Sequence, residues 1–282
     1  MNRDIGVFGP DSVSWKVFGE PIVALGGLRS LYLQALHPRA VAGVAQNSSY
    51  QTDPWRRLIR TWVYLRTILY GTTAEAEAAA SRVRRLHAEM RATDPRTGEV
   101  FHIDEPDLLR WVHVTEVESF VTTVRRAGLR LTDAEVDRYY TEQRRSAALI
   151  GLDPASVPGT AADVAAYYEA VRSQLSLTTE AADIAAFLAT CPSVPAEWNR
   201  PALRRALASG PSRGLYRVLA ATAAGLLPPW ARRLYGGRGG PATDVIAGLS
   251  ARGTRLLVRA ALPPKYRVPP MRRAALERAG RS

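Results

Sequence analysis

The chain holds one cysteine, Cys191, and two lysines, Lys16 and Lys265, among 282 residues. A single thiol excludes a disulfide framework or a thiolate metal cluster within one chain, and fits a reducing compartment. Long apolar runs are missing too. The N-terminus has no apolar core of signal-peptide length, and the stretch from Val218 to Trp230 is short and carries Pro228 and Pro229. The expectation is a soluble, cytoplasmic protein that at most rests on a membrane. No G-x-G-x-x-G or G-x-x-x-x-G-K element occurs, so Gly26-Gly27 reads as a site of close helix packing rather than a phosphate loop. Glu-x-x-His occurs once, at Glu99-Val100-Phe101-His102, whereas a carboxylate-bridged di-iron bundle requires two.

Acidic residues are scarce in one region. From residue 201 to the end there are 16 basic residues against Asp244 and Glu277, so this third carries +14 of a net charge of +12 and the first 200 residues carry −2. Such a region favours anionic membrane or nucleic acid. No zinc-finger spacing, RNP-like aromatic motif or clear helix-turn-helix accompanies it, so no nucleic-acid partner is expected, and peripheral contact with anionic membrane stays open. No obligate protein partner is inferred. Arginine supplies 36 of the 38 basic residues, a bias that by itself accounts for part of the charge.

What the chain has in abundance is helix punctuation. Pro21 opens an apolar segment of helical period, and Pro38 kinks it or starts a new helix, leaving His37 at a bend where it either caps the backbone or faces a pocket. Asp53-Pro54 is an N-cap followed by a first-position proline, for a helix from Trp55 to Tyr70 ending at Gly71. Thr72-x-x-Glu75, Thr132-x-x-Glu135 and Thr160-x-x-Asp163 have the form of capping boxes. Pro106 opens a helix to about Ala127, stopped by Gly128. Further helices are expected at 179–190, at 201–227 with a break at Gly210-Pro211, and at 244–262. Strand-length alternation is essentially absent. The reading is an all-α, single domain of about ten helices over residues 1–282, with no internal repeat.

Three groups of side chains carry chemistry. The stretch Thr72 to Thr93 reads as one helix, in which three-and-four spacing puts Arg84, His87 and Arg91 on one face: a metal ligand between two fixed cations. On the preceding helix Arg57, Arg60 and Thr61 share a face, which either meets the His87 helix across the Gly71 turn or is the wet side of an amphipathic helix. His113 and Glu116 stand one turn apart and either pair, bind metal together or sit in the core.

The order of these elements resembles the MpaB and latex-clearing-protein oxygenase family. The elements are His37-Pro38, Asp53-Pro54 before an arginine-rich helix, Gly71-Thr72 before an alanine-rich helix holding His87, and Trp111-x-His113. The resemblance is strongest from about Ser12 to Arg172. It implies an all-α, globin-like domain with one b-type haem whose iron is held by His87, the histidine of the Arg84-x-x-His87-x-x-x-Arg91 segment. It also implies that Arg84 and Arg91 orient the helix or pair with propionates, and that Arg57, Arg60 and Thr61 form the polar side of the pocket, with His37 and His113 as further pocket candidates. The implied activity is oxygenation, with O₂, of a small apolar unsaturated molecule; the alternative is a non-catalytic haem- or lipid-binding protein. Two departures argue against polyisoprene as the substrate: Arg60 stands where rubber-cleaving members carry a lysine, and no acid lies between His37 and Asp53.

Overall fold

The computed structural model describes residues 4–190, 192, 209–237, 239–261 and 268–281. Thirteen α-helices lie among them, joined by short turns. They are α1 (Val13–Phe18), α2 (Val23–Ala35), α3 (Pro38–Asn47), α4 (Pro54–Tyr70), α5 (Thr73–Glu89), α6 (Pro106–Arg126) and α7 (Asp133–Leu149). There follow α8 (Ala161–Val171), α9 (Thr179–Ala189), α10 (Gly210–Gly225), α11 (Pro229–Leu234), α12 (Pro241–Ala261) and α13 (Pro270–Arg278).

The local punctuation works as its chemistry dictates. Asp53 accepts a hydrogen bond from the Arg56 amide at 3.2 Å, and Pro54 begins α4. All three capping boxes are closed from both sides, at Thr72 and Glu75, Thr132 and Glu135, and Thr160 and Asp163. Gly128, at φ +91°, takes the left-handed conformation after α6 that a side chain would resist. Gly210 and Pro211 begin α10 under a Ser209 cap. Cys191, Lys265 and the expected helix at 201–208 lie outside the described residues.

One expectation is corrected. The stretch Thr72 to Thr93 is not a single helix: α5 ends at Glu89, and Arg91–Thr93 (β1) pairs antiparallel with Val100–His102 (β2). The cause is tertiary. The Gln46 side chain donates to the Thr93 carbonyl and accepts from its amide, at 2.9 and 2.8 Å, and the Asn47 amide donates to the Arg91 carbonyl at 2.9 Å. These contacts from the end of α3 satisfy the free edge of β1, so the backbone finds partners without another helical turn. Arg91 therefore stands off the helix that bears His87.

The core is built on α2 against α6. A Cβ on Gly26 would fall 2.9 Å from the Ser119 carbonyl oxygen and 3.0 Å from the Phe120 Cα, so the two backbones meet where glycine permits it. Buried within this contact is Arg29. It donates to both Glu118 carboxylate oxygens at 2.5 and 3.0 Å, to Ser119 Oγ at 2.6 Å and to the Leu226 carbonyl at 2.9 Å. Helix α4 is most deeply buried at its C-terminal end, with Trp62 and Leu65 partly buried against the main core. Its buried residues are Ile68, Leu69 and Tyr70, where Trp15 Nε1 donates to the Leu69 carbonyl at 2.9 Å and packs edge-on to Tyr70.

Candidate functional site

A cavity of about 150 Å³ lies where α4, α5, α6 and α7 come together, closed at one side by Phe8 and Phe18. Each helix supplies residues at three-and-four spacing: Tyr64 and Ile68 from α4, Val83 and His87 from α5, and Val112, His113, Glu116 and Phe120 from α6. The walls are mostly aliphatic and aromatic. Gln143 and Ser146 of α7 are already paired, Gln143 donating to Ser14 Oγ at 2.9 Å and Ser146 donating to Gln143 Oε1 at 2.9 Å. That leaves Tyr64, His87, His113 and Glu116. Among the described residues none of these four side chains has a hydrogen-bond partner, which is costly in a buried setting unless something else satisfies them.

Burial sets their protonation. It pushes His113 down from 6.5 to about 4 and lowers His87 as well, so both imidazoles are neutral at pH 7 and each keeps a lone pair for a metal. It raises Glu116 from 4.5 to about 7, so this carboxyl carries a proton for part of the time at neutral pH. Tyr64 is raised by burial and then by the neighbouring Glu116 charge, which keeps the phenol protonated.

The two shifts on α6 act oppositely on stability. Glu116 keeps its proton in the folded chain after the unfolded chain has released it, so its contribution is intact below pH 4.5 and is lost as pH rises through about 7. His113 is the reverse: its contribution is present above pH 6.5 and lost as pH falls toward about 4. Glu116→Gln removes the first effect alone. The variant should exceed the parent in urea-unfolding stability by on the order of 3 kcal/mol at about pH 8 and converge with it at about pH 4. Identical pH dependence for both proteins would refute the burial argument.

The other residues singled out in the sequence fall around this cavity rather than in it. Arg84 of α5 donates to the Leu149 carbonyl at the end of α7 and pairs with Glu77 at 2.6 Å, which fixes α5 against α7. Arg91 donates to the Ala88 and Met90 carbonyls at 2.7 and 3.1 Å, closing the C-terminus of α5. His37 is an N-cap: its Nδ1 accepts from the Ala40 amide at 3.4 Å, and its ring lies 6.0 Å from that of Trp111, away from the cavity. Burial, then the charge of Arg96, lowers its pKa.

Arg57, Arg60 and Thr61 do not line the cavity, yet they precede Tyr64 by seven, four and three positions and so continue its face of α4 toward the surface. Thr61 Oγ1 donates to the Arg57 carbonyl at 3.0 Å. Burial and then the like charge of Arg60 lower the Arg57 pKa, and among the described residues neither guanidinium has an ion-pair or hydrogen-bond partner. Two cations, unpaired among the described residues, on the face of α4 that runs on from Tyr64 form a place for an anionic group. Tyr64 went unnoticed in the sequence, although its spacing from Arg57 and Arg60 is the signal that finds it.

Among the described residues no group of three or more histidine, cysteine or acidic side chains is placed to hold a metal ion. A bare transition-metal ion asks for three or four such donors, whereas a haem iron asks the protein for one axial ligand. No helix among them is long and apolar enough to cross a membrane. No curated protein and no solved structure matches the chain. The sequence model of one family, described as "ER-bound oxygenase mpaB/B'/Rubber oxygenase, catalytic domain", matches residues 15–261, most of the length, and the chain belongs to that family of oxygenase catalytic domains.

Proposed function

We propose that this protein is a b-type haem-dependent oxygenase that acts with O₂ on a small, apolar, unsaturated molecule, with His87 as the axial ligand of the iron. The observation that carries the reading is the partly closed, largely apolar cavity in which two neutral histidines and a carboxyl that holds its proton part of the time lack partners among the described residues. Membership of an oxygenase family supports the reaction class.

The donor set fits a haem. His87 offers a free imidazole, and Arg57 and Arg60 are the cations available for propionates, Arg84 and Arg91 being engaged with backbone carbonyls. The volume fits after a shift. A cavity of about 150 Å³ is smaller than the roughly 300–1,000 Å³ of preformed ligand pockets, so binding requires a wall to move. Helix α4 is that wall, because its first three turns bury no residue and expose Leu58, Ile59 and Val63. Bound there, the haem would supply an iron centre for O₂ chemistry. Phe8, Phe18 and Phe120 would exclude water and receive the apolar substrate. Glu116 would hold or release a proton beside it, and Tyr64 would donate a hydrogen bond.

The test is titration of the purified chain with haem, followed by O₂ uptake with candidate alkenes. A saturable Soret band and label from O₂ in the product are expected. Arg57→Gln and Arg60→Gln should weaken haem binding without shifting the band. Absence of a Soret band at any haem excess would overturn the reading, and a band without O₂ uptake would leave a haem carrier.

A further inference from the structure

Helix α12 turns its large residues the wrong way for a helix in water. Val245, Ile246, Leu249, Leu256 and Leu257 are 60, 67, 61, 67 and 69% exposed, while the small Ala247 and Ala251 face inward. There Ala247 Cβ would stand 3.0 Å from a Cβ on Gly225 of α10. The five large residues fall within about a third of the helix circumference and run for about 18 Å along it. No charged residue of α12 falls in that arc, and no described residue covers it. Beside it α10 exposes Leu215 and Val218. An apolar surface of this kind marks a contact with something other than water.

The charges beside the stripe say what that something is. Arg252 and Arg259 border the arc, and Arg255 lies behind them, paired with Glu20 at 2.8 Å; Arg259 reaches the same carboxylate at 3.4 Å. Asp244, the one acid in α12, is taken up by Arg232 at 2.9 Å and Arg126 at 3.6 Å. Between α12 and the turn after α6 lies a broad, open groove of about 770 Å³ lined by Arg125, Arg130, Arg252 and Leu256. The acids here are neutralised locally. Glu135, the acid that lines the groove, pairs with Lys16 at 2.7 Å, and Asp133, outside the lining, pairs with Arg125 at 3.0 Å. Arg130 and the outer nitrogens of Arg252 remain for an external anion. A second copy would bring the same arginines face to face, which disfavours self-association.

We propose that this face docks on an anionic bilayer, with the α12 stripe lying in the acyl boundary and lipid phosphates over Arg130 and Arg252. The stripe lies in the plane of the membrane, as an interfacial helix does, and spans nothing.

Sedimentation of the full chain with vesicles tests this. Binding is expected to phosphatidylcholine mixed with phosphatidylglycerol, not to phosphatidylcholine alone, and to weaken with salt. The double substitution Leu249→Ser with Leu256→Ser should abolish it. Arg130→Gln and Arg252→Gln should each weaken it about fivefold. These are surface positions, so thermal unfolding should match that of the parent. Equal binding to both vesicle types, serine variants that bind as the parent does, or a dimer in light scattering that the serine variants dissociate would each overturn the proposal.

Discussion

His87→Ala protein titrated with haem is expected to show no Soret band, with affinity at least about a hundredfold below that of the parent. Loss should be this complete if His87 alone holds the iron, since an axial ligand has no substitute on its own helix. The His87 ring projects from the last turn of α5, which Arg84 ties to the end of α7 and Arg91 closes from below. Its side chain is half-buried, neutral and unpartnered. His37 cannot substitute, since its Nδ1 is committed to the Ala40 amide, and His37→Ala should retain the band. His113→Ala is the decisive control. His113 is deeper in the same cavity and equally unpartnered, so a band that survives His87→Ala and disappears in His113→Ala would move the ligand from α5 to α6.

Arg29→Ala is expected to cost about 3–5 kcal/mol of stability, measured as a lowered urea midpoint. Truncation leaves the Glu118 carboxylate buried with two remaining donors, Tyr168 at 3.2 Å and Thr122 at 2.7 Å. It also removes the hydrogen bond to the Leu226 carbonyl, through which α2 holds the end of α10. Replacing both charges by apolar residues of similar size, Arg29→Met with Glu118→Leu, should cost less than Arg29→Ala alone, because no unpaired charge remains. Additive losses would mean that the pair acts through packing and not through charge.

The helices were legible because their ends are encoded locally. A cap and the residue three positions on, or a proline at the first turn, interact within a few residues, so Thr72 with Glu75 and Asp53 with Pro54 act alike in any fold. The stop of α5 at Glu89 was hidden for the opposite reason: its cause sits at Gln46 and Asn47, more than forty positions away in sequence. Arg29 was hidden too, since one charge in an apolar helix has no meaning until Glu118 is seen to cross it.

The sequence by itself determined that the chain is helical, where most helices begin, and that His87 stands on the helix after the Gly71 turn. The tertiary structure alone decided which of the flagged polar groups share a space. It joined His87 and His113, added Glu116 and Tyr64, and set His37 aside as a cap. It turned Arg84 and Arg91 to backbone carbonyls and left Arg57 and Arg60 unpaired. The physical reason is that capping depends on neighbours in sequence, whereas desolvation and hydrogen-bond satisfaction depend on what other helices bring to the same volume.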